Sequence, residues 1–283
     1  MSEYSFVIIH FGNNIKYLEY ELYFLMNLSE YTKYDICYLY SIQDTPIDFV
    51  KKIKKLNINI KTIPYNDKGV SYNIEDTFKS SYTHFNTLRT CNFIYAYLLT
   101  QYKKVCILES DMVILKNIDN IFKLKCPSVF YTMNKIKLDE DNKNNLIILN
   151  QKKMIDNCYK GSPINGGVFL IKPNKEEFKK LKIKIKQVIK NNCIYPNETL
   201  IVAYIKPLYN MPIKYNFSHY YFDNFNKFQD IYILHYNQSK YKPIDIIKNN
   251  YIQKKEIKKK IISVYKKNIY DKFYNKIKNI LNK

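Results

Sequence analysis

Residues 104–115, KVCILESDMVIL, set two carboxylates one residue apart inside an otherwise apolar run. Lys104 to Leu108 reads as a strand buried on both faces, and such a strand belongs in the middle of a helix-covered sheet. Charges in that place are costly to desolvate unless they are paired or bound to metal. In open α/β sheets, ligands bind outside the carboxyl ends of the strands. Glu109 and Asp111 are therefore well placed to hold a hard divalent cation, Mn2+ or Mg2+, with positions left for phosphate oxygens. The plainer alternative is a charged turn at a strand end.

The first third of the chain alternates. Residues 5–11 predict a strand closed by Gly12-Asn13-Asn14, Ile15–Leu28 a helix, residues 34–41 a second strand, and Pro46 opens a helix to about Leu56. Residues 59–63 predict a third strand and Thr87–Gln101 a long helix. This β-α-β-α-β order implies parallel strands in a doubly wound sheet. Further on, residues 134–160 read as a polar loop, and Ile164–Ile171 as a turn into a strand. Lys175–Asn191 and Glu198–Ile205 read as helices, and Ile231–Tyr236 as a late strand. Two regions follow: an α/β domain over 1–245 and a basic, amphipathic helical tail over 246–283.

The formal net charge of +21 favours anionic partners, although Lys spread along the whole chain makes most of it a solvated surface. None of the six Cys forms a CxxC pair, and Cys37 and Cys106 lie in apolar runs, which suits a reducing compartment. Neither a signal peptide nor a run of ~18 apolar residues is visible, so the expectation is a soluble, cytoplasmic protein. The tail could lie on a membrane or partner, or pack on its own domain with a solvated Lys face; the second reading is preferred.

His235 closes the late strand, and its neighbours include Lys240 and Lys242. Imidazole suits a transition metal, and lysines meet a diphosphate as point charges.

QYKKVCILESDMVILKNIDNIF resembles the metal-site region of the glycogenin-like retaining glycosyltransferases of family eight, where an apolar strand leads into Asp-x-Asp. Ile164–Val168, Pro196–Leu200 and His235–Pro243 resemble three further motifs of that family, in its order, over about residues 5–243. The resemblance implies a GT-A fold: a Rossmann-like mixed sheet flanked by helices. It also implies Mn2+ (or Mg2+), a UDP-sugar donor and hexose transfer with retention. By position it implies Glu109, Asp111 and His235 as metal ligands and Lys242 on the diphosphate, with Arg89 near the donor. Ile9, His10, Phe11 and Tyr17 would line the uridine pocket, and Ser110 would approach the ribose. Asn165, Gly166, Gly167, Asn197 and Glu198 would face the sugar.

The chain departs from the family where Glu109 replaces an Asp, Asn197-Glu198 replaces Asp-Gln, and Gln238 replaces a Gly. Tyr220 and Tyr221 fall where glycogenin glucosylates itself. A protein, glycan or lipid acceptor is expected, and no specific nucleic acid. A homodimer and a peripheral membrane or partner contact through the tail are retained as further partners. Two competing functions stand beside this one. The first is a degenerate transferase fold serving as a scaffold or binding module, which the Glu109 change would suit. The second is a basic nucleic-acid-binding protein with interleaved Tyr.

Overall fold

The computed structural model describes residues 2–67, 88–132, 143–148, 162–190, 195–218, 230–237, 243, 245 and 271–282. The chain opens with strand β1 (Tyr4–His10), whose apolar residues are buried on alternate faces. Gly12, at φ +93, turns the chain out of β1 in a backbone conformation that glycine adopts without a Cβ clash. Asn14 then caps helix α1 (Ile15–Glu30) by accepting the Lys16 N–H. Strand β2 (Asp35–Ser41), helix α2 (Ile47–Lys54, with Pro46 as its N-cap) and strand β3 (Ile60–Tyr65) complete the first alternation.

Leu88–Leu98 is helical as its periodicity predicts, but it winds as a 3-10 helix. Cys91 to Tyr97 are all buried between the sheet and its covering helices, and Leu98 at the end of the segment is exposed. Strands β4 (Lys104–Leu108), β5 (Met112–Ile114), β6 (Ser128–Tyr131) and β7 (Ile164–Ile171) follow. Helices α3 (Lys175–Lys190) and α4 (Pro196–Tyr204) come next, then the short strands β8 (Tyr209–Asn210), β9 (Phe217–Ser218) and β10 (Ile233–His235), and helix α5 (Asp271–Leu281).

The large sheet has seven strands in the order β3-β2-β1-β4-β7-β6-β8. Strands β1 to β4 are mutually parallel, while β7 runs antiparallel to both β4 and β6, which makes the sheet mixed. Apolar cores lie on both faces. Cys106 and Leu108 point into one, with α1, the small sheet and α5; Val105 and Ile107 point into the other, with the 3-10 helix, α3 and α4. The small sheet, β5-β10-β9, is fed directly by β4 through residues 109–111.

Helix α5 lies in the region expected to form a basic tail. Phe273, Ile277 and Ile280 are buried in the core beside α1, while Asn275, Lys276, Lys278 and Asn279 are exposed. Lys276 Nζ donates to Leu56 O, and Lys52 Nζ donates to Leu281 O. Among the described residues, no helix is long and apolar enough to cross a membrane. Tyr220, Tyr221 and Lys242 lie outside the described residues, as do most of the expected 134–160 loop and the tail from 246 to 270.

Candidate metal and donor site

Two strand registers assemble the site. On one side β4 pairs antiparallel with β7, Leu108 opposite Val168, so the next residue, Glu109, donates its N–H to Gly167 O at 3.0 Å. On the other side β5 pairs antiparallel with β10, Met112 opposite His235. Tyr236 N–H then donates to Asp111 O at 3.0 Å. Glu109-Ser110-Asp111 thus bridges the two sheets, at the carboxyl end of β4 and next to β1. With strand order 3-2-1-4, the crevice between β1 and β4 is where an open α/β sheet reverses its winding and accepts ligands.

His235 is wholly buried, Asp111 is 14% exposed at its side chain and Glu109 49%. His235 Nε2 lies 3.1 Å from Asp111 Oδ1 and 3.2 Å from Glu109 Oε2. One donor atom from each residue falls within 4.8 Å of the others. Two ligands at right angles on an ion with bonds of roughly 2.0–2.2 Å sit about 3 Å apart, so this spacing fits one divalent cation. Two carboxylate oxygens and one imidazole nitrogen also suit Mn2+-like chemistry. The residues present therefore fit the metal that the motif implies. Burial opposes a charge on His235, but Asp111 and Glu109 outweigh it and hold the imidazole up to about 9.

The space beneath the trio explains Gly167. A Cβ on Gly167 would lie 2.2 Å from His235 Cε1, 2.8 Å from Glu109 Oε2 and 2.9 Å from Met112 Cε. Gly166 N–H donates to Glu198 Oε1 at 3.0 Å, which brings the first turn of α4 to the same corner. Burial pushes the Glu198 carboxyl up to about 7, with the negative charge of Glu109 adding to the rise; the Gly166 N–H, Ser162 and His235 oppose it. Asn197 is partly exposed beside Glu198.

Asn165 is buried. Its Oδ1 accepts the Gly167 N–H at 3.0 Å, and it meets Asn216 rather than standing alone toward a ligand. Asn216, whose Oδ1 lies 2.8 Å from His235 Nδ1, is a neighbour of the trio that the motifs do not include. A buried polar residue between Tyr215 and Phe217 is its only sequence signal, and a chain this rich in Asn drowns it.

At the end of β1, Ile9 and Phe11 are partly exposed and Tyr17 is exposed in the first turn of α1. His10 differs from the expected pocket-lining side chain. Its ring turns into the core, with Nδ1 2.8 Å from Glu21 Oε1 and Nε2 3.1 Å from Gly12 O. Tyr38 donates its hydroxyl to the other Glu21 oxygen at 2.6 Å. Ser110 is partly exposed between the two carboxylates, and Arg89 lies in the first turn of the 3-10 helix.

No family model matches the sequence. The uncharacterized protein R707 of Acanthamoeba polyphaga mimivirus is 32% identical over 259 residues, which cover 86% of this chain and 83% of that protein. Among solved structures, the bifunctional glycosyltransferase WbbM superposes with a TM-score of 0.58 at 12% identity, over 92% of this chain and 52% of its own. The glycosyltransferase GlyE of Streptococcus pneumoniae TIGR4 gives 0.54 at 16% identity, over 98% and 64%. The galactosyltransferase LgtC, solved with donor and acceptor sugar analogs, gives 0.55 at 14% identity, over 84% and 88%. The chain thus spans about half the length of WbbM and just under two thirds of GlyE. The fold is that of the GT-A glycosyltransferases.

Proposed function

This chain belongs to the family of the mimivirus protein R707, and on its GT-A fold we propose that it moves a hexose from a UDP-sugar to an acceptor hydroxyl with retention. The observation that carries this reading is the Glu109–Asp111–His235 trio, gathered at the β1/β4 crevice with donor atoms within 4.8 Å of one another. These three residues would hold Mn2+ or Mg2+, which supplies positive charge to a diphosphate.

The remaining roles fall to the chain's own groups. Ile9, Phe11 and Tyr17 rim the pocket for the base, with Tyr17 exposed enough to stack on it. The His10 ring holds the Gly12 turn from behind through its bond to Gly12 O. Ser110 approaches the ribose, and the roles assigned to Arg89 and Lys242 are those of positive charges for the diphosphate. As the bond from the anomeric carbon to the diphosphate oxygen breaks, its electron pair stays on the departing diphosphate, whose growing charge Lys242 stabilises. The acceptor oxygen bonds to the anomeric carbon on the same face and passes its proton to the departing oxygen. Glu198, as the carboxylate, sets negative charge near the sugar while it becomes cationic; Asn197, Gly166 and Gly167 shape that side of the pocket.

A panel of UDP-sugars with Mn2+, read by slow donor hydrolysis without acceptor, tests the proposal. Turnover of one or a few sugars supports it. Absence of turnover across the panel would leave the fold as a binding module.

A further inference from the structure

The ring nitrogen of His235 that faces away from the carboxylates is not left to chance. His235 Nδ1 lies 2.8 Å from Asn216 Oδ1. Asn216 Nδ2 lies 3.2 Å from Asn165 O and 3.1 Å from Asn165 Oδ1. A backbone carbonyl can only accept, and Asn165 Oδ1 is identified as the oxygen because it receives the Gly167 N–H at 3.0 Å. Both atoms facing Asn216 from Asn165 are therefore acceptors. Turning the Asn216 amide over would set its oxygen against two oxygens, so Nδ2 must face Asn165 and Oδ1 must face the imidazole. An amide oxygen only accepts, so Nδ1 must carry a hydrogen. When a cation takes the place of the proton on Nε2, the hydrogen that stays on Nδ1 leaves the Nε2 lone pair, beside Asp111 and Glu109, to bind it.

We infer that Asn216 is a positioning residue of the metal centre, whose side-chain amide, anchored on Asn165, fixes His235 in the tautomer and orientation that present Nε2 to the cation. The inference rests on the metal site of the proposed function. Asn216 is fully buried, so no water competes for the bond to Nδ1. The anchor has a second consequence. The same Asn165–Gly167 turn accepts the Glu109 N–H through Gly167 O and donates to Glu198 through Gly166 N. Asn216 thus ties the buried ligand His235 to the turn that sets the more exposed ligand Glu109 and the sugar-side Glu198. The orienting group is a neutral amide, which fixes the ring without adding a charge to a corner that already holds three carboxyl groups.

The test uses the whole chain and needs no sugar. Long-range 15N NMR of the imidazole nitrogens, in protein loaded with diamagnetic Zn2+ as a stand-in for Mn2+, reads which nitrogen keeps its hydrogen; His235→Gln assigns the signal. The expected result is the Nδ1–H form. Mn2+ titration should then show affinity falling about 10–100-fold in Asn216→Ala. Asn216→Asp keeps an acceptor for Nδ1 while losing the donor to Asn165, and should retain more affinity than Asn216→Ala. A cation-loaded wild type whose His235 carries its hydrogen on Nε2 overturns the inference. So does an Asn216→Ala variant that melts like the wild type and binds Mn2+ as tightly. Should Asn216→Ala fail to fold, the wild-type tautomer still decides. A chain that binds Mn2+ through His235 but turns over no nucleotide-sugar refutes the proposed reaction and leaves the role of Asn216 standing. A chain that binds no divalent cation overturns both.

Discussion

Replacing Gly167 with alanine puts one methyl group under the metal trio. Its carbon would start 2.2 Å from His235 Cε1, whereas carbon atoms rest at about 3.5–4.0 Å, so more than about 1 Å of separation must be found. Glu109 is half-exposed and can swing away from the 2.8 Å clash with its carboxylate. His235 is wholly buried and bonded to Asn216 behind it, so it has nowhere to retreat without breaking that bond. Overpacking of this kind costs about 1–3 kcal/mol. If the strain is relieved by displacing the ring, the same energy weakens cation binding by roughly 5–150-fold at about 1.4 kcal/mol per tenfold. Calorimetric Mn2+ titration of the full chain, paired with a thermal melt, separates the loss of affinity from the loss of stability. Gly166→Ala is the control. Its methyl would meet Glu198 Cγ at 3.3 Å and Asn197 Nδ2 at 3.5 Å, both on side chains outside the trio, so Mn2+ affinity should stay within about twofold while turnover changes. A Gly167→Ala variant that binds Mn2+ as the wild type does would refute the assignment of His235 and Glu109 as co-ligands.

Asp111→Ala should abolish donor hydrolysis and leave the melting temperature near that of the wild type; retained hydrolysis would remove Asp111 from the site. Burial and the charge of Glu109 push the Glu198 carboxyl up to about 7, and a cation on Glu109 lowers it from there; its proposed role requires the carboxylate, so turnover should rise with pH to a plateau by about 7 and Glu198→Gln should flatten that rise. For His10, burial opposes the charged ring, but Glu21, Gly12 O and Asp44 outweigh it and raise the pKa above the ordinary 6.5. The pair with Glu21 therefore contributes stability that is full below about 6.5 and fades as pH rises through the raised value, and melts of wild type and His10→Gln across that window should converge at high pH. Phe273→Ala should cost about 3–5 kcal/mol in denaturant unfolding, because the ring is buried beside α1; an unchanged midpoint would mean that α5 does not belong to this core.

The paired carboxylates and the parallel half of the sheet were legible because each rests on local pattern, whereas His235 joined Glu109 and Asp111 only through the family resemblance. An apolar run too short for a helix, broken by carboxylates, is informative wherever it occurs, and Lys104–Leu108 has both features. The antiparallel direction of β7 was not legible, since its apolar residues suit either direction and only pairing with β4 and β6 decides it. Strands β8 and β9 are two residues each and leave no period to read. The helix from Leu88 was visible in its spacing, but that spacing does not separate 3-10 from α winding. His10 shows the same limit at one residue. Strand alternation puts Ile9 and His10 on opposite faces, and only Glu21, eleven residues on, shows that the polar one turns inward.

The docking of α5 also sets an order of events. Lys276 reaches Leu56 O across 220 residues of chain, and Lys52 reaches Leu281 O across 229. At a synthesis rate of about 5–20 residues per second, the face of α1 that receives Phe273 and Ile277 waits roughly 12–50 s between leaving the ribosome and meeting its cover. During that interval the nascent chain carries an uncovered apolar stripe next to a growing parallel sheet. Among the described residues, the first helix is thus sealed by one made about 240 residues later, and a chain cut short before residue 271 would carry the Glu109–Asp111–His235 trio complete and this face of its core open.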